Sequence, residues 1–158
     1  MKTVISSISI KNFKSLKDTG ILELKPITLL VGPNSSGKTA LLQSILILKQ
    51  TLESYDRRTP LILRGRYVDL GSFYDVIYNK DIKNDIEISL SSRYEDYPYL
   101  IKFSIGYNEA NKNLVQRYIE IEYSLIHEDG SEKENIRFEN DKIYLNNKEY
   151  EYTSRDLE

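Results

Sequence analysis

The chain has no cysteine, and that absence removes several kinds of chemistry at once. No disulfide framework can hold the fold together, no thiolate can act as a nucleophile, and no cysteine cluster can bind a metal. Histidine is nearly absent too: His127 is the only one, at a predicted strand end. With no second histidine and no cysteine partner, it builds neither a metal site nor a catalytic triad. Long apolar runs are also missing. The longest, around Ile45 and Leu48, is broken by Gln43, Ser44 and Lys49, well short of the ~20 residues a membrane span needs. The start, Met1-Lys2-Thr3, lacks the apolar core of a signal peptide. A cytoplasmic protein with no membrane partner is the expectation.

The length, 158 residues, suffices for one domain with a proper core. Net charge is −2, but it is unevenly placed. Residues 1–80 hold twelve Lys/Arg against six Asp/Glu, and residues 81–158 hold ten against eighteen. The acidic second half is therefore a poor candidate for a general nucleic-acid surface.

What is present is one phosphate-binding pattern in the right setting. Gly32-Pro33-Asn34-Ser35-Ser36-Gly37-Lys38-Thr39 fits G-x-x-x-x-G-K-[ST] at every fixed position. Before it, residues 27–31 (ITLLV) form a short continuous apolar run, the pattern of a buried parallel strand. After it, Leu41, Ile45, Leu48 and Leu52 fall on one helical stripe, predicting a helix over about 36–54. The chemistry follows from the backbone. A helix start carries unpaired N–H groups and a positive dipole end, so it attracts anions. Gly32 and Gly37 let the loop curl into a nest of N–H groups for a β-phosphate. Lys38 is placed to reach the β- and γ-phosphates, and the Thr39 hydroxyl is the expected Mg²⁺ ligand. Between residues 40 and 48 the helix is apolar on nearly all sides, so something besides the sheet should cover it.

The rest of the chain reads mostly as strands. Residues 3–13 alternate in part, with Ile8 and Ile10 on one face. Asp18-Thr19-Gly20 is a turn before a strand at 21–24, which Pro26 ends. Residues 55–66 form a polar connection carrying Arg57, Arg58, Arg64 and Arg66, read as a solvated loop in preference to a phosphate or DNA contact. Residues 67–78 have no assignable period. From Asp85 the alternation is strict: Ile86, Ile88 and Leu90, then Tyr99 to Tyr107, then Ile119 to Leu125. Short strands follow at 136–139, 142–145 and 148–152, with polar connections at 108–113 and 128–134 and tight turns at Asn140-Asp141 and Asn146-Asn147. All thirteen tyrosines lie beyond the helix, where they suit sheet-face packing better than base stacking.

Phosphoryl transfer to water needs a carboxylate to hold the metal, and the pattern of four apolar residues followed by Asp is absent. Asp69 and Asp129 do not fit it. The guanine-specific marks are missing too, Asn79-Lys80-Asp81 having the wrong spacing. A small P-loop kinase would need an arginine-rich lid, for which only residues 57–66 could serve.

The opening segment ISIKNFKSLKDTGILELKPITLLVGPNSSGKTALLQSILILKQTL resembles the N-terminus of the SMC/RecF/OLD group of ABC-type ATPases, often called AAA family ATPases in bacteria. The marks are Lys11-Asn12-Phe13-Lys14-Ser15, the strand pair to Leu24, and the loop from Gly32 to Thr39. The match is clear over residues 4–52. A weaker likeness at Gly65 to Phe73 is to bacterial members, some acting in antiphage defence. The resemblance implies an α/β fold: a P-loop NTPase N-terminal lobe, with a mixed sheet around residues 27–31, one long helix after the loop, and an antiparallel β-rich second half. Residues 1–80 would be the nucleotide-binding core lobe and 81–158 an antiparallel subregion of the same head. It implies ATP and Mg²⁺ as ligands. Gly32, Pro33, Asn34, Ser35, Ser36, Gly37, Lys38, Thr39 and Ala40 would hold the nucleotide, Lys38 being the catalytic residue. Lys14 and Ser15 would lie near the phosphates or ribose. The Mg²⁺-sensing glutamine of the family has no clear counterpart; Gln116 is a candidate, and Gln43 is placed on the helix surface. The signature motif, the Asp-Glu pair and the switch histidine belong to a C-terminal lobe, and none is found here. The expectation is a fragment, or one piece of a split protein, partnered by that lobe and by a second ATPase head in a homodimer. DNA or a nuclease effector is a further partner the resemblance allows. Alone, the chain is expected to bind ATP weakly and turn it over negligibly. The reading from another class is a non-hydrolysing, nucleotide-gated interaction module docking through residues 85–152.

Overall fold

The structure is a computed structural model that describes residues 5–56, 58–94, 97–127, 130–140 and 142–150. Nine strands form one sheet, with β1 Ile5–Phe13, β2 Leu16–Asp18, β3 Leu22–Glu23, β4 Ile86–Tyr94, β5 Tyr97–Asn108, β6 Asn113–His127, β7 Gly130–Glu139, β8 Lys142–Leu145 and β9 Lys148–Tyr150. The order is β2-β1-β4-β5-β6-β7-β8-β9, and β3 also pairs with β1. Every described pairing is antiparallel. From β4 onward each strand pairs with its successor in sequence, which is what hairpin connections allow. The turn at Asn146 and Asn147 has both residues at positive φ, 49° and 63°, the geometry a two-residue hairpin favours.

The strict alternation separates two faces. Ile86, Ile88 and Leu90 pair with Ile105, Phe103 and Ile101, and those last two pair with Ile119 and Ile121. Ile8 and Ile10 of β1 join this face opposite Leu90 and Ile88. The other face carries Ser7, Ser9, Ser89 and Ser91 and a set of charges. There Lys102 pairs with Glu120 and Glu122, and Lys11 with Glu87. Burial pulls the Lys102 ammonium down, but its hydrogen bond to Glu122 and the charge of Glu120 outweigh that and hold it above the usual lysine range. Tyrosines do pack on the sheet: the Arg137 guanidinium lies 4.0 Å from the Tyr118 ring centroid, and Tyr123 donates to Glu134 at 2.6 Å.

One long helix, α1 Lys38–Leu52, lies in the same core as β1 and β4. Its ends differ from the sequence expectation by two residues. Its buried stripe differs more: it consists of Ala40, Leu41, Ser44, Ile47 and Gln50, while Leu42, Ile45 and Leu52 are exposed. The polar members of that stripe are satisfied locally. Ser44 donates to Leu41 O at 2.7 Å. Gln50 donates to Ile62 O at 2.6 Å and accepts from the Val68 N–H at 3.1 Å, tying residues 61–70 to the helix. Leu61, Leu63, Leu70, Phe73, Val76 and Ile77 close the core. The stretch that had no period forms a short helix, α2 Phe73–Val76, and a 3-10 turn at Tyr78–Lys80. Asp75 accepts from the Ser72 N–H and hydroxyl at 2.8 and 2.7 Å, and those bonds hold its carboxyl below the usual range.

Residues 27–31 are not a strand, which corrects the expectation of a mixed sheet built around them. Ile27, Leu29 and Val31 are 92 %, 82 % and 81 % exposed. Both edges of β1 are already taken, by β4 on one side and by β2 and β3 on the other. The outer edges of β2 and β3 carry no described partner, yet the run forms no ladder with them; Ile27, Leu29 and Val31 face solvent while Leu30 packs against the core. Other differences are small. β2 was not foreseen, and β7 begins inside the expected connection at 128–134. The predicted strand at 148–152 is described as far as Tyr150, and Asp141 and Arg57 lie outside the described residues.

Candidate functional site

The loop from Gly32 to Gly37 joins the exposed run to α1, and its backbone decides its shape. Gly32, Ser35 and Gly37 have φ of 156°, 65° and 93°. A Cβ on Gly37 would lie 2.7 Å from Leu16 Cδ2 and 3.4 Å from Ser15 Oγ. One on Gly32 would lie 3.0 Å from Ser36 Oγ. Both positions favour glycine for their positive φ, and at Gly37 the space for a Cβ is also taken. The close approach also shows that the β1–β2 turn leans directly on the loop.

Lys38 lies across this loop. Its ammonium donates to Gly32 O at 2.8 Å, Pro33 O at 2.5 Å and Ser36 Oγ at 3.2 Å. The helix proper closes with Leu41 N–H donating to Gly37 O at 2.9 Å. Ahead of it, the N–H groups of Lys38, Thr39 and Ala40 find no acceptor among the described residues, as the first turn of a helix dictates. No acidic residue occupies that turn. The positive helix end, the unpaired amides and the Lys38 ammonium therefore belong to the same short stretch of chain. A groove of about 400 Å³ opens there, lined in part by Leu16, Thr19, Val31, Gly32 and Lys38. Asn34 and Ser36 are exposed on the loop, Thr39 is exposed beside Lys38, and Ala40 is buried toward the core.

The resemblance also pointed to Lys14 and Ser15: Ser15 lies against Gly37, and Lys14 reaches Gln43, further along α1. Lys14 sits at φ 54°, and its N–H donates to Val76 O at 2.6 Å. Its ammonium donates to Gln43 Oε1 at 2.8 Å. Gln43, read from the sequence as helix surface, is thus half-buried beside the site. Gln116, the other glutamine considered, pairs with Ile105 on β6, at a break in register with β5. His127 ends β6 opposite Gly130. The arginine-bearing connection spends its charge locally: Arg64 lies 3.7 Å from Asp69 and donates to Gly71 O, and Arg66 and Lys49 sit over the Tyr67 ring. Two other grooves, of about 360 and 450 Å³, lie mainly on the serine-bearing face of the sheet.

The whole of residues 1–158 matches the family described as AAA ATPase domain. The chain belongs to that family. An uncharacterised protein of Methanocaldococcus jannaschii is 26 % identical over 116 residues, covering 70 % of this chain and 52 % of that protein. The chain spans about half the length of that curated relative. In this AAA ATPase domain no helix is long and apolar enough to cross a membrane, among the described residues.

The helix start suits a nucleoside polyphosphate: unpaired N–H groups and the Lys38 ammonium stand there with no acidic residue in the first turn, beside an apolar wall of Leu16, Leu22, Leu29, Leu30, Val31 and Leu41. The fit to Mg²⁺ is partial. Thr39 offers one hydroxyl oxygen, and among the described residues no group of three metal-binding side chains exists. A Mg²⁺ held here would draw its other ligands from phosphate and water.

Proposed function

We propose that this AAA ATPase domain is the ATP–Mg²⁺-binding lobe of an SMC/RecF/OLD-like ATPase, incomplete for hydrolysis until a C-terminal lobe joins it. The observation that carries the reading is the convergence of Lys38, the glycine-framed loop and the unpaired N–H groups at the start of α1. The incompleteness rests on two further facts. Thr39 has no carboxylate cluster beside it, and residues 27–31 have an exposed apolar face and no paired backbone among the described residues. A continuous apolar run suits a parallel strand covered on both faces, which the second lobe would supply. Residues 1–80 then form the nucleotide-binding core lobe and 81–158 the antiparallel subregion of the same head.

Each residue has a part. The loop N–H groups of Asn34, Ser35, Ser36 and Gly37 would surround the β-phosphate. Lys38 exchanges its contacts with Gly32 O and Pro33 O for β- and γ-phosphate oxygens, neutralising charge that grows in the transition state. Thr39 would offer its hydroxyl to a bound Mg²⁺, which would supply charge neutralisation. In the intact cytoplasmic protein a second head would close over the γ-phosphate, and the closed state would be favoured by contacts made only with ATP bound. DNA maintenance or antiphage defence is the setting the resemblance suggests, with DNA or a nuclease as effector.

Steady-state phosphate release by the purified 158-residue chain tests this. The expected result is binding of ATP with negligible turnover. Turnover that Lys38→Ala abolishes would mean that a catalytic carboxylate lies within the chain, and would end the claim of incompleteness.

The second reading, a nucleotide-gated interaction module, is favoured by one observation: Phe138 and Leu145 stay exposed on the outer strands. Size-exclusion chromatography with and without ATP separates the two. ATP-dependent association with an unrelated protein, without self-association, supports the module.

A further inference from the structure

Lys14 is held in two ways that a simple surface lysine is not. Its backbone is fixed at positive φ by the bond from its N–H to Val76 O, 2.6 Å. Its side chain then reaches 29 positions along the chain to meet Gln43 on α1 at 2.8 Å. Gln43 stands four residues after Thr39, so the two share a helix face with Cβ atoms about 6 Å apart. The next residue of the turn, Ser15, lies against Gly37 of the phosphate loop. A second ammonium is therefore parked one helical turn from the first-turn amides.

The chemistry of the acceptor matters. An ammonium has three N–H donors, and Gln43 Oε1 takes one. Two remain for other oxygens. A carboxylate at the same place would cancel the charge, whereas a neutral amide oxygen orients it and leaves it positive. Holding a four-carbon side chain in one geometry also removes entropy before a ligand arrives, which strengthens binding.

We propose that Gln43 is a positioning residue for nucleotide binding: it holds the Lys14 ammonium where it meets the polyphosphate chain as a second cation beside Lys38. The proposal rests on the nucleotide-binding reading above and names a residue that sequence reasoning set aside. Gln43 acts only through Lys14, so its effect must vanish when Lys14 is gone.

The test is a double-mutant cycle read as Mg-ATP affinity by titration of the purified chain with a fluorescent ATP analogue. Lys14→Met lowers affinity about tenfold, the usual worth of one hydrogen bond to a charged group. Gln43→Met, close in size and without an acceptor, lowers it about threefold to tenfold. The double variant is no weaker than Lys14→Met alone, and Lys14→Arg with Gln43 intact restores most of the affinity. Thermal midpoints of the variants, followed by circular dichroism, stay near that of the parent; should Gln43→Met unfold, Gln43→Leu takes its place. If Gln43→Met weakens binding equally with and without Lys14, or if neither variant changes it, the proposal is overturned while nucleotide binding stands. If the parent chain itself fails to bind ATP, the nucleotide reading falls and this inference with it.

Discussion

In β4 to β9 each strand finds its partner in the next strand of the sequence, whereas residues 27–31 pair with no strand among the described residues. Both stretches are apolar enough to be strands. The difference lies in what each needs as a neighbour. An antiparallel strand with one polar face is satisfied by a hairpin a few residues away, and its charges can stay in water. A continuous apolar run needs parallel neighbours and cover on both faces, which arrive through long connections or from elsewhere. The sheet region thus folds on its own terms, while the loop region shows its chemistry at the end of an unsatisfied segment.

Matched substitutions can break that comparison. Ile88→Ala, in the buried face of β4, should cost about 2–5 kcal/mol in urea unfolding, as deletion of fully buried methyl groups does. Leu29→Ser, in the exposed run, should stay within about 0.5 kcal/mol. Equal losses at the two sites would mean that residues 27–31 are covered in solution. A smaller effect lies in the turns. Asn147→Val places a β-branched residue at φ 63° and should cost about 1–2 kcal/mol by the same measurement, with Asn147→Gly near neutral. An unchanged Asn147→Val would show that the β8–β9 hairpin does not contribute to global unfolding.

The smallest effect concerns pH. Lys102 titrates above its ordinary value in the fold, so its ion pairs add stability in full below the unfolded pKa, about 10.4, and lose it as pH rises through the higher folded value. Lys102→Met should therefore be less stable than the parent at neutral pH, by roughly 1 kcal/mol or less. The gap should shrink only above about pH 10.4. The Tyr118 hydroxyl, raised by burial, feels the Lys102 charge, so the comparison is made in a Tyr118→Phe background. A gap that is constant through that range would show that the pairing with Glu120 and Glu122 is not what stabilises.

Much of this was legible because period is a local property. The alternation of Ile86, Ile88 and Leu90 gave both the strand and its buried face. The glycines and Lys38 marked the loop, and the Asn146-Asn147 pair marked its turn. What could not be read was partnership. The apolar run at 27–31 looked like a central strand because its composition records the neighbours it suits, and the sequence does not say where those neighbours are. The buried stripe of α1 was displaced because Ser44 and Gln50 can be buried once a carbonyl or a loop amide satisfies them. Gln43 was passed over for a related reason. Its partner, Lys14, is distant in sequence, and only the positive-φ turn between β1 and β2 brings them together. A glutamine at an α1 position facing Thr39, with a lysine in the preceding turn, was the one available signal.

The central claim is that the start of α1 is a polyphosphate site held together by Lys38. Isothermal titration of the chain with ATP in the presence of Mg²⁺ tests it most directly. The account predicts saturable binding of one nucleotide per chain, lost in Lys38→Ala while the fold persists by circular dichroism. No heat of binding at millimolar ATP, or equal binding by Lys38→Ala, would contradict it.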